Sequence, residues 1–470
     1  MSLTGGLVLS VLAVAAAAAY GETNVVFEDS LPEHIEPSPP WLSQSDVFLQ
    51  TAVLGLYNAT LGVDRSLTNL NAVDHESDRN VIVSPASIAA AVSLMLVGAG
   101  GQTKVELGKL FGIDEHTLSN STDADDSQNF KKLGTLLNGY RDDGDAPGGA
   151  HASLAKAVFL PRGHPQLSLQ YRTAVKDYLN GELINVDFAM NGPETINRYA
   201  IFIQPSNSWV SVHTRGKIND IMQNTPPPDT KAVVVSALYF TGEWETPFFA
   251  NYTKPKPFYY ESNSNTSTNK NPIYVNMMIG NSEVFYYKND ELKFKAIGLP
   301  YKGNEYTAYF VLPNGNISLR GLMSTINERT LKTITESTTL TDITYLVPKM
   351  TLKSFTNLKP VLQKMEIDSV FDSSKANLSK MGLGSDFYVS DILHKVEIVI
   401  DEIGTVASAA TVVTITRGGN PTFNVNKPFL FFIHHRLSDT ILFWASINKP
   451  TPYLITPPVS AKTLKSQTKN

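Results

Sequence analysis

The sequence predicts one compact domain of mixed α and β structure built around a large β-sheet. Three stretches carry that reading. Residues 232–240 (AVVVSALYF) form a continuous apolar run, which suits a central strand buried on both faces. Residues 429–433 and 441–447 are two apolar runs separated by HHRLSDT, the pattern of a β-hairpin. Residues 88–110 carry helix-like spacing, with Leu94, Val97 and Ala99 among small residues and breaks at Gly98, Gly100 and Gly101.

Taken along the chain, Ser84-Pro85 is the start signal for the first of these helices. Residues 114–149 are polar and acid-rich. They read as two surface loops, STDADDSQN and RDDGDAPGG, flanking a short helix at 130–137. Further strands are expected at 306–312, after the Pro-Tyr-Lys-Gly turn at 300–303, and at 396–400. No repeat of fixed period is present. A length of 470 residues would by itself allow about three domains, but large β-rich domains exceed that prior routinely.

The two ends differ from this body. Residues 5–19 (GGLVLSVLAVAAAAA) are apolar and shorter than the ~20 residues that span a bilayer. They end in small residues that fit a signal-peptidase site after Ala19 or Gly21, so residues 1–19 are expected to be a secretory signal; a buried N-terminal helix is the plain alternative. Residues 20–44 read as a flexible arm and 451–470 as a tail, leaving 45–450 as the folded domain. Six N-x-[ST] sequons begin at Asn58, Asn120, Asn251, Asn265, Asn316 and Asn377, and with the leader they point to a secreted glycoprotein.

Composition removes several function classes. Lys and Arg number 39 against 44 Asp and Glu, a net charge of −5, so there is no global basic footprint for nucleic acid. Cysteine is absent, which excludes disulfides, thiol catalysis and Cys-ligated zinc. There is no G-x-S-x-G, HExxH or G-x-x-x-x-G-K-[ST]. The adjacent His434 and His435 would point to opposite faces of a strand and make a poor metal site. No cofactor is expected, and no enzymatic activity.

Residues 402–411 (EIGTVASAAT) stand out instead. After Glu402 the run is small and uncharged, follows a strand-like stretch, and precedes the loop-like Arg417-Gly-Gly-Asn-Pro421. Linkers favour Gly, Ser and Pro, whereas this run is rich in Ala, Val and Thr. With period two, Thr405, Ala407, Ala409 and Thr411 share one face and Val406, Ser408 and Ala410 the other. A segment competent as both loop and strand is the sequence mark of a conformational switch.

At this point the chain resembles the serpin family over nearly all of residues 45–450. The residues that carry the resemblance are N-V-I-V-S-P-A-S at 80–87, Gly98-Ala-x-Gly-x-Thr103 with Glu106-Leu107, N-S-W-V at 207–210 with Thr214-x-Gly-Lys-Ile218, and Y-F-T-G-E-W at 239–244. Val275-x-Met-Met278, Leu299-Pro-Tyr301, Leu312-Pro313, Pro348-Lys349, the Gly404–Thr411 hinge and Asn426-x-Pro-Phe-Leu430 follow in the family's order. The resemblance implies an α+β serpin domain with a large central sheet, further sheets, surrounding helices and an exposed reactive loop. It also implies a suicide-substrate inhibitor: a serine protease cuts the loop, is held as an acyl-enzyme, and is trapped when the loop inserts into the main sheet.

By that resemblance, the hinge is Glu402, Gly404, Thr405, Val406, Ala407, Ser408, Ala409, Ala410 and Thr411; the shutter is Ser84, Ser87, Ser236 and His394; and Trp244 marks the breach. Family spacing from Glu402 places the bait residue at Gly418, while spacing from Pro428 places it at Arg417. Arg417 is the choice here, with Arg417–Gly418 as the reactive bond, because arginine gives a trypsin-like protease a charged anchor. Departures from the pattern are Ser236 where the family usually carries Asn, Ile403 for a charged residue and Val406 for Glu. The shorter Ser236 predicts a looser clasp. No basic helix implies a glycosaminoglycan site; Lys131-Lys132 is the only basic pair in the acid-rich region. The expected function is secreted inhibition of a trypsin-like serine protease by a monomer, with neither nucleic acid nor membrane as partner. The alternative is a non-inhibitory serpin with a carrier, storage or chaperone role, which a charge or proline within Gly404–Thr411 would favour; neither is present.

Overall fold

The computed structural model describes residues 46–73, 79–139, 149–164, 166–188, 209–218, 220–222, 226–227, 229–261, 272–337, 339–384, 387–404 and 421–452. The helices are α1 (Val47–Val73), α2 (Pro85–Leu96), α3 (Gly101–Lys109), α4 (Glu115–Asn120), α5 (Asp123–Asn138), α6 (Leu169–Thr173), α7 (Trp209–His213), α8 (Leu319–Thr325), α9 (Glu328–Glu336) and α10 (Lys359–Lys364). The strands are β1 (Val81–Val83), β2 (His151–Pro161), β3 (Glu182–Val186), β4 (Val233–Thr241), β5 (Lys254–Phe258), β6 (Ile273–Asn289) and β7 (Phe294–Pro300). They continue with β8 (Tyr306–Pro313), β9 (Leu340–Pro348), β10 (Met350–Asn357), β11 (Asp391–Ile400), β12 (Thr422–Asn424), β13 (Phe429–His435) and β14 (Thr440–Ile447).

Two sheets organise them. One runs β10-β11-β4-β2-β3; the other runs β1-β14-β13-β8-β7-β6-β9-β12, with β5 attached to β6. The 232–240 run is β4, and its continuous apolar character has a direct cause. Val233, Val235 and Ala237 face a core that includes Trp209 and Ile218, while Leu238 and Phe240 face the core shared with the second sheet. The 429–447 hairpin is β13 paired antiparallel to β14.

Between the sheets lies α2. All twelve of its residues are buried, and it touches β2, β4 and β14. A helix apolar all round is a helix with no solvent face. Ser84 caps it, its hydroxyl accepting the Ser87 N–H at 3.1 Å, and Pro85 sits at the first helical position, where a missing N–H costs nothing.

The acid-rich region differs from the sequence expectation. STDADDSQN, residues 121–129, is not a loop: only Ser121 and Thr122 separate α4 from α5, which begins at Asp123 rather than near 130 and takes up the rest. The reason is a capping box in which Thr122 accepts from the Asp125 N–H and Asp125 accepts from the Thr122 N–H. Three acidic residues in its first turn complement the helix dipole. Asp126 then turns inward to the buried Lys104 at 2.7 Å.

Candidate functional site

In the five-stranded sheet, β4 and β11 are parallel neighbours separated by some 150 residues of chain, paired from Asp391↔Val233 to Ile398↔Phe240. No strand stands between them. Each has an antiparallel partner on its other side, β2 for β4 and β10 for β11. A strand entering this seam antiparallel to both would exchange one slanted parallel ladder for two antiparallel ones. The chain leaving β11 at Ile400 needs only to reverse direction to run that way.

The reversal begins at residues 401–404, and the structure ties this turn to the end of β4. Asp401 Oδ1 accepts the N–H groups of Ile403 and Gly404, both at 3.1 Å. Trp244 Nε1 donates to Asp401 O at 2.8 Å, and the Trp244 N–H donates to Ile403 O at 2.9 Å. The Phe248 N–H donates to Glu402 O at 2.6 Å. Trp244 is 2% exposed and stacks on Tyr301, ring centres 4.3 Å apart. Glu402 is buried at 8% exposure and pairs with Lys349 Nζ at 2.5 Å. Burial pushes its carboxyl up, but the Lys349 ammonium and further hydrogen bonds outweigh this and hold its pKa below the usual range. Gly404 has φ +112, and a Cβ there would lie 2.0 Å from Gly242 O, so only glycine fits.

About 20 Å down the seam, six residues of strand away, lies a second cluster. His394 on β11 sits opposite Ser236 on β4 and is fully buried. Its Nε2 accepts the Ser84 N–H at 3.0 Å, so the neutral ring carries its proton on Nδ1. That nitrogen lies 3.2 Å from Ser236 Oγ and 3.5 Å from Ser87 Oγ. Ser84 Oγ donates to Leu442 O at 2.6 Å, joining the cluster to β14. Burial drives the His394 pKa down to about 3, so the ring is neutral at physiological pH.

The structure thus brings Ser84, Ser87, Ser236 and His394 together, and separately Glu402, Gly404 and Trp244. Thr405, Val406, Ala407, Ser408, Ala409, Ala410, Thr411, Arg417 and Gly418 lie outside the described residues. Of the sequon asparagines, Asn58, Asn120, Asn251, Asn316 and Asn377 are exposed, and Asn265 lies outside the described residues. His434 and His435 are both buried. His434 Nε2 is 2.9 Å from Asp439 and His435 Nδ1 is 2.7 Å from Ser438. Among the described residues no group of three His, Cys, Asp or Glu side chains could hold a metal.

Sequence reasoning missed three groups. Lys349 was placed only within a Pro-Lys motif, yet it is the Glu402 counter-ion. Tyr301 was placed in a turn motif, yet it is the platform under Trp244. Lys156, opposite Ser236 on β2, is 4% exposed with its Nζ on Asn138 Oδ1 at 2.9 Å. A lysine in the middle of an apolar strand, AVFL on its C-terminal side, was the available signal for the last.

The structure thus sets a glycine-containing turn at the mouth of a parallel seam in the sheet and a buried polar cluster at its middle. Comparison with known proteins gives the family. The family profile described as serpin (serine protease inhibitor) matches residues 65–450, and the chain belongs to the serpin family. Iripin-2 of Ixodes ricinus is 31% identical over 385 residues, covering 81% of this chain and 90% of that protein. The macrophage plasminogen activator inhibitor 2 of Mus musculus is 29% identical over 409 residues, covering 80% and 94%. Uncleaved ovalbumin superposes with a TM-score of 0.70 at 24% identity, covering 85% of this chain and all of that one. The family is one of protease inhibitors rather than catalytic enzymes.

Proposed function

We propose that this chain is a secreted inhibitor of trypsin-like serine proteases. The protease serine adds to the Arg417 carbonyl, the bond to Gly418 breaks, the new amine of Gly418 leaves, and Arg417 stays as an ester on the enzyme. The freed hinge, from Gly404 through Thr411, then enters the β4/β11 seam and carries the protease with it before water completes deacylation. The observation that carries the reading is the seam: eight register pairs between parallel neighbours, with the hinge turn tied to its open end. Insertion replaces that one ladder with two. At ~1 kcal/mol net for each added hydrogen bond, about ten give on the order of 10 kcal/mol. That is comparable to a whole domain's stability, so the uncleaved form is held kinetically. The uncharged, proline-free 404–411 segment supports inhibition over the carrier, storage or chaperone alternative.

Incubation with trypsin should yield a denaturant-resistant complex and a C-terminal peptide beginning at Gly418. Arg417→Ala should abolish it. Thr405→Arg should convert inhibitor to substrate, because an unpaired charge would have to enter the sheet. Free turnover by a broad panel of Arg-directed proteases, with cleaved protein melting no higher than intact, supports the non-inhibitory alternative instead. For export, residues 1–19 serve as the signal, 20–44 as an arm and 451–470 as a tail. Mature secreted protein should begin at Tyr20 or Glu22 and carry glycans on the exposed sequons; an intact Met1 overturns that.

A further inference from the structure

Away from the seam, helices α1 and α8 enclose a cavity of about 590 Å³ together with β1, β14 and the chain entering β13. That volume equals roughly twenty waters at ~30 Å³ each, and it falls in the range of small-molecule sites, about 300–1,000 Å³. Each helix contributes two pairs of residues one turn apart: Asp64/Thr68 and Arg65/Asn69 from α1, Leu319/Met323 and Arg320/Ser324 from α8. The apolar part of the wall is Leu319, Met323, Val81 and Pro428, all buried within the fold.

Three guanidiniums, Arg65, Arg79 and Arg320, line the cavity together with two carboxyls, Asp64 and Glu261. Asp64 is 2% exposed and its carboxyl accepts from Trp444 Nε1 at 2.8 Å and Ser446 Oγ at 2.5 Å; its burial pushes its pKa up. Glu261 Oε1 is committed to the Leu319 N–H at 3.2 Å. Arg65 is fixed by one bond, Nη2 to Ile326 O at 3.0 Å, which leaves other N–H groups of the guanidinium for a ligand. Arg320 is exposed, with no hydrogen bond or ion pair among the described residues. Guanidinium groups beside an apolar wall match an oxyanion head on an apolar body.

We propose that this cavity binds a compact organic anion, its acidic head held by Arg65 and Arg320 beside Arg79 and its apolar body seated on Met323 and Leu319. None of the described hinge residues 401–404 lines the site, and the proposal goes beyond protease inhibition; binding is measurable on uncleaved protein whether or not a protease is trapped. The test is calorimetric titration of the full chain with naphthalene-2-sulfonate and, separately, with sodium sulfate. One site per chain is expected for the naphthalenesulfonate, with sulfate at least tenfold weaker. Arg320→Glu should weaken naphthalenesulfonate at least tenfold. Ser324→Trp, which fills the cavity from an exposed position on α8, should remove binding while the melting temperature stays within a few degrees. Sulfate binding as tightly as the naphthalenesulfonate, or undiminished binding in both folded variants, overturns the proposal.

Discussion

The mouth and the middle of the β4/β11 seam are closed by different chemistry. At the hinge end the closure is ionic and peptidic: Glu402 to Lys349, and backbone bonds from Trp244 and Phe248 to the turn. At the middle it is neutral and fully buried: a histidine that accepts from Ser84 and faces Ser236. An ion pair with one half-exposed partner can open and be rehydrated at small cost. A buried neutral network cannot, because every parted group loses its partner before water arrives. On the proposed insertion, this difference makes the mouth of the seam the part that opens early and the middle the barrier.

Breaking the middle should therefore have the largest effect. His394→Ala leaves the Ser84 N–H and Ser236 hydroxyl without their ring partner and opens a cavity between β11 and α2. An orphaned buried donor costs about 1–3 kcal/mol and the cavity adds to it, so the expected loss is about 3–4 kcal/mol in urea unfolding. A loss under about 1 kcal/mol would show that the strands hold without the histidine.

Acid sharpens the same point. A histidine that titrates near 6.5 when unfolded and about 3 when folded contributes stability that is complete above pH 6.5 and falls as pH drops toward 3. The stability gap between wild type and His394→Ala should shrink by up to about 1.4 kcal/mol per pH unit below 6.5. A gap independent of pH from 7.5 to 4.5 would mean the folded ring takes up the proton.

At the mouth the effect should be smaller. Glu402→Gln keeps the shape and removes the charge opposite Lys349. A double-mutant cycle with Lys349→Met should give a coupling of about 1 kcal/mol, falling in high salt. A coupling above 3 kcal/mol would make the mouth, not the middle, the principal clasp.

The sequence made these regions legible to different degrees. β4 and the β13/β14 hairpin were readable because runs buried on both faces leave an unbroken apolar signature. Ser84, Ser87, Ser236 and His394 were not readable from pattern: they meet across 310 residues of chain, and only the family motifs joined them. Lys349 and Tyr301 were invisible as partners because a counter-ion or a stacking platform has no local signal. The α4/α5 region misled because acidic, Ser- and Thr-rich segments serve loops and helix N-termini alike, and the choice turned on the reciprocal Thr122/Asp125 cap.

The smallest expected effect lies on the outer face of the same sheet, where α7 covers β2, β3 and β4. There His213 Nε2 is 2.6 Å from Glu182 Oε1 on β3, and Nδ1 is 2.8 Å from Trp209 O. Both neighbours are acceptors, so both ring nitrogens must carry protons and the geometry selects the imidazolium. The hydrogen bond to Glu182 accordingly raises the His213 pKa above 6.5. On Glu182, burial pushes up, but the bond and charge of His213 outweigh it and lower its pKa below 4.5. The signs are opposite to those of His394. A raised histidine stabilises fully below pH 6.5 and loses its contribution as pH rises through its folded pKa; a depressed glutamate stabilises above pH 4.5 and loses its contribution as pH falls. The pair should therefore contribute most between about pH 4.5 and 6.5. Both side chains are more than a third exposed, which limits it to under about 1 kcal/mol. His213→Gln should lower the melting temperature by about 2 °C at pH 6 and by less at pH 8.5. A difference that grows with pH would contradict the ionic pairing of α7 to the sheet edge.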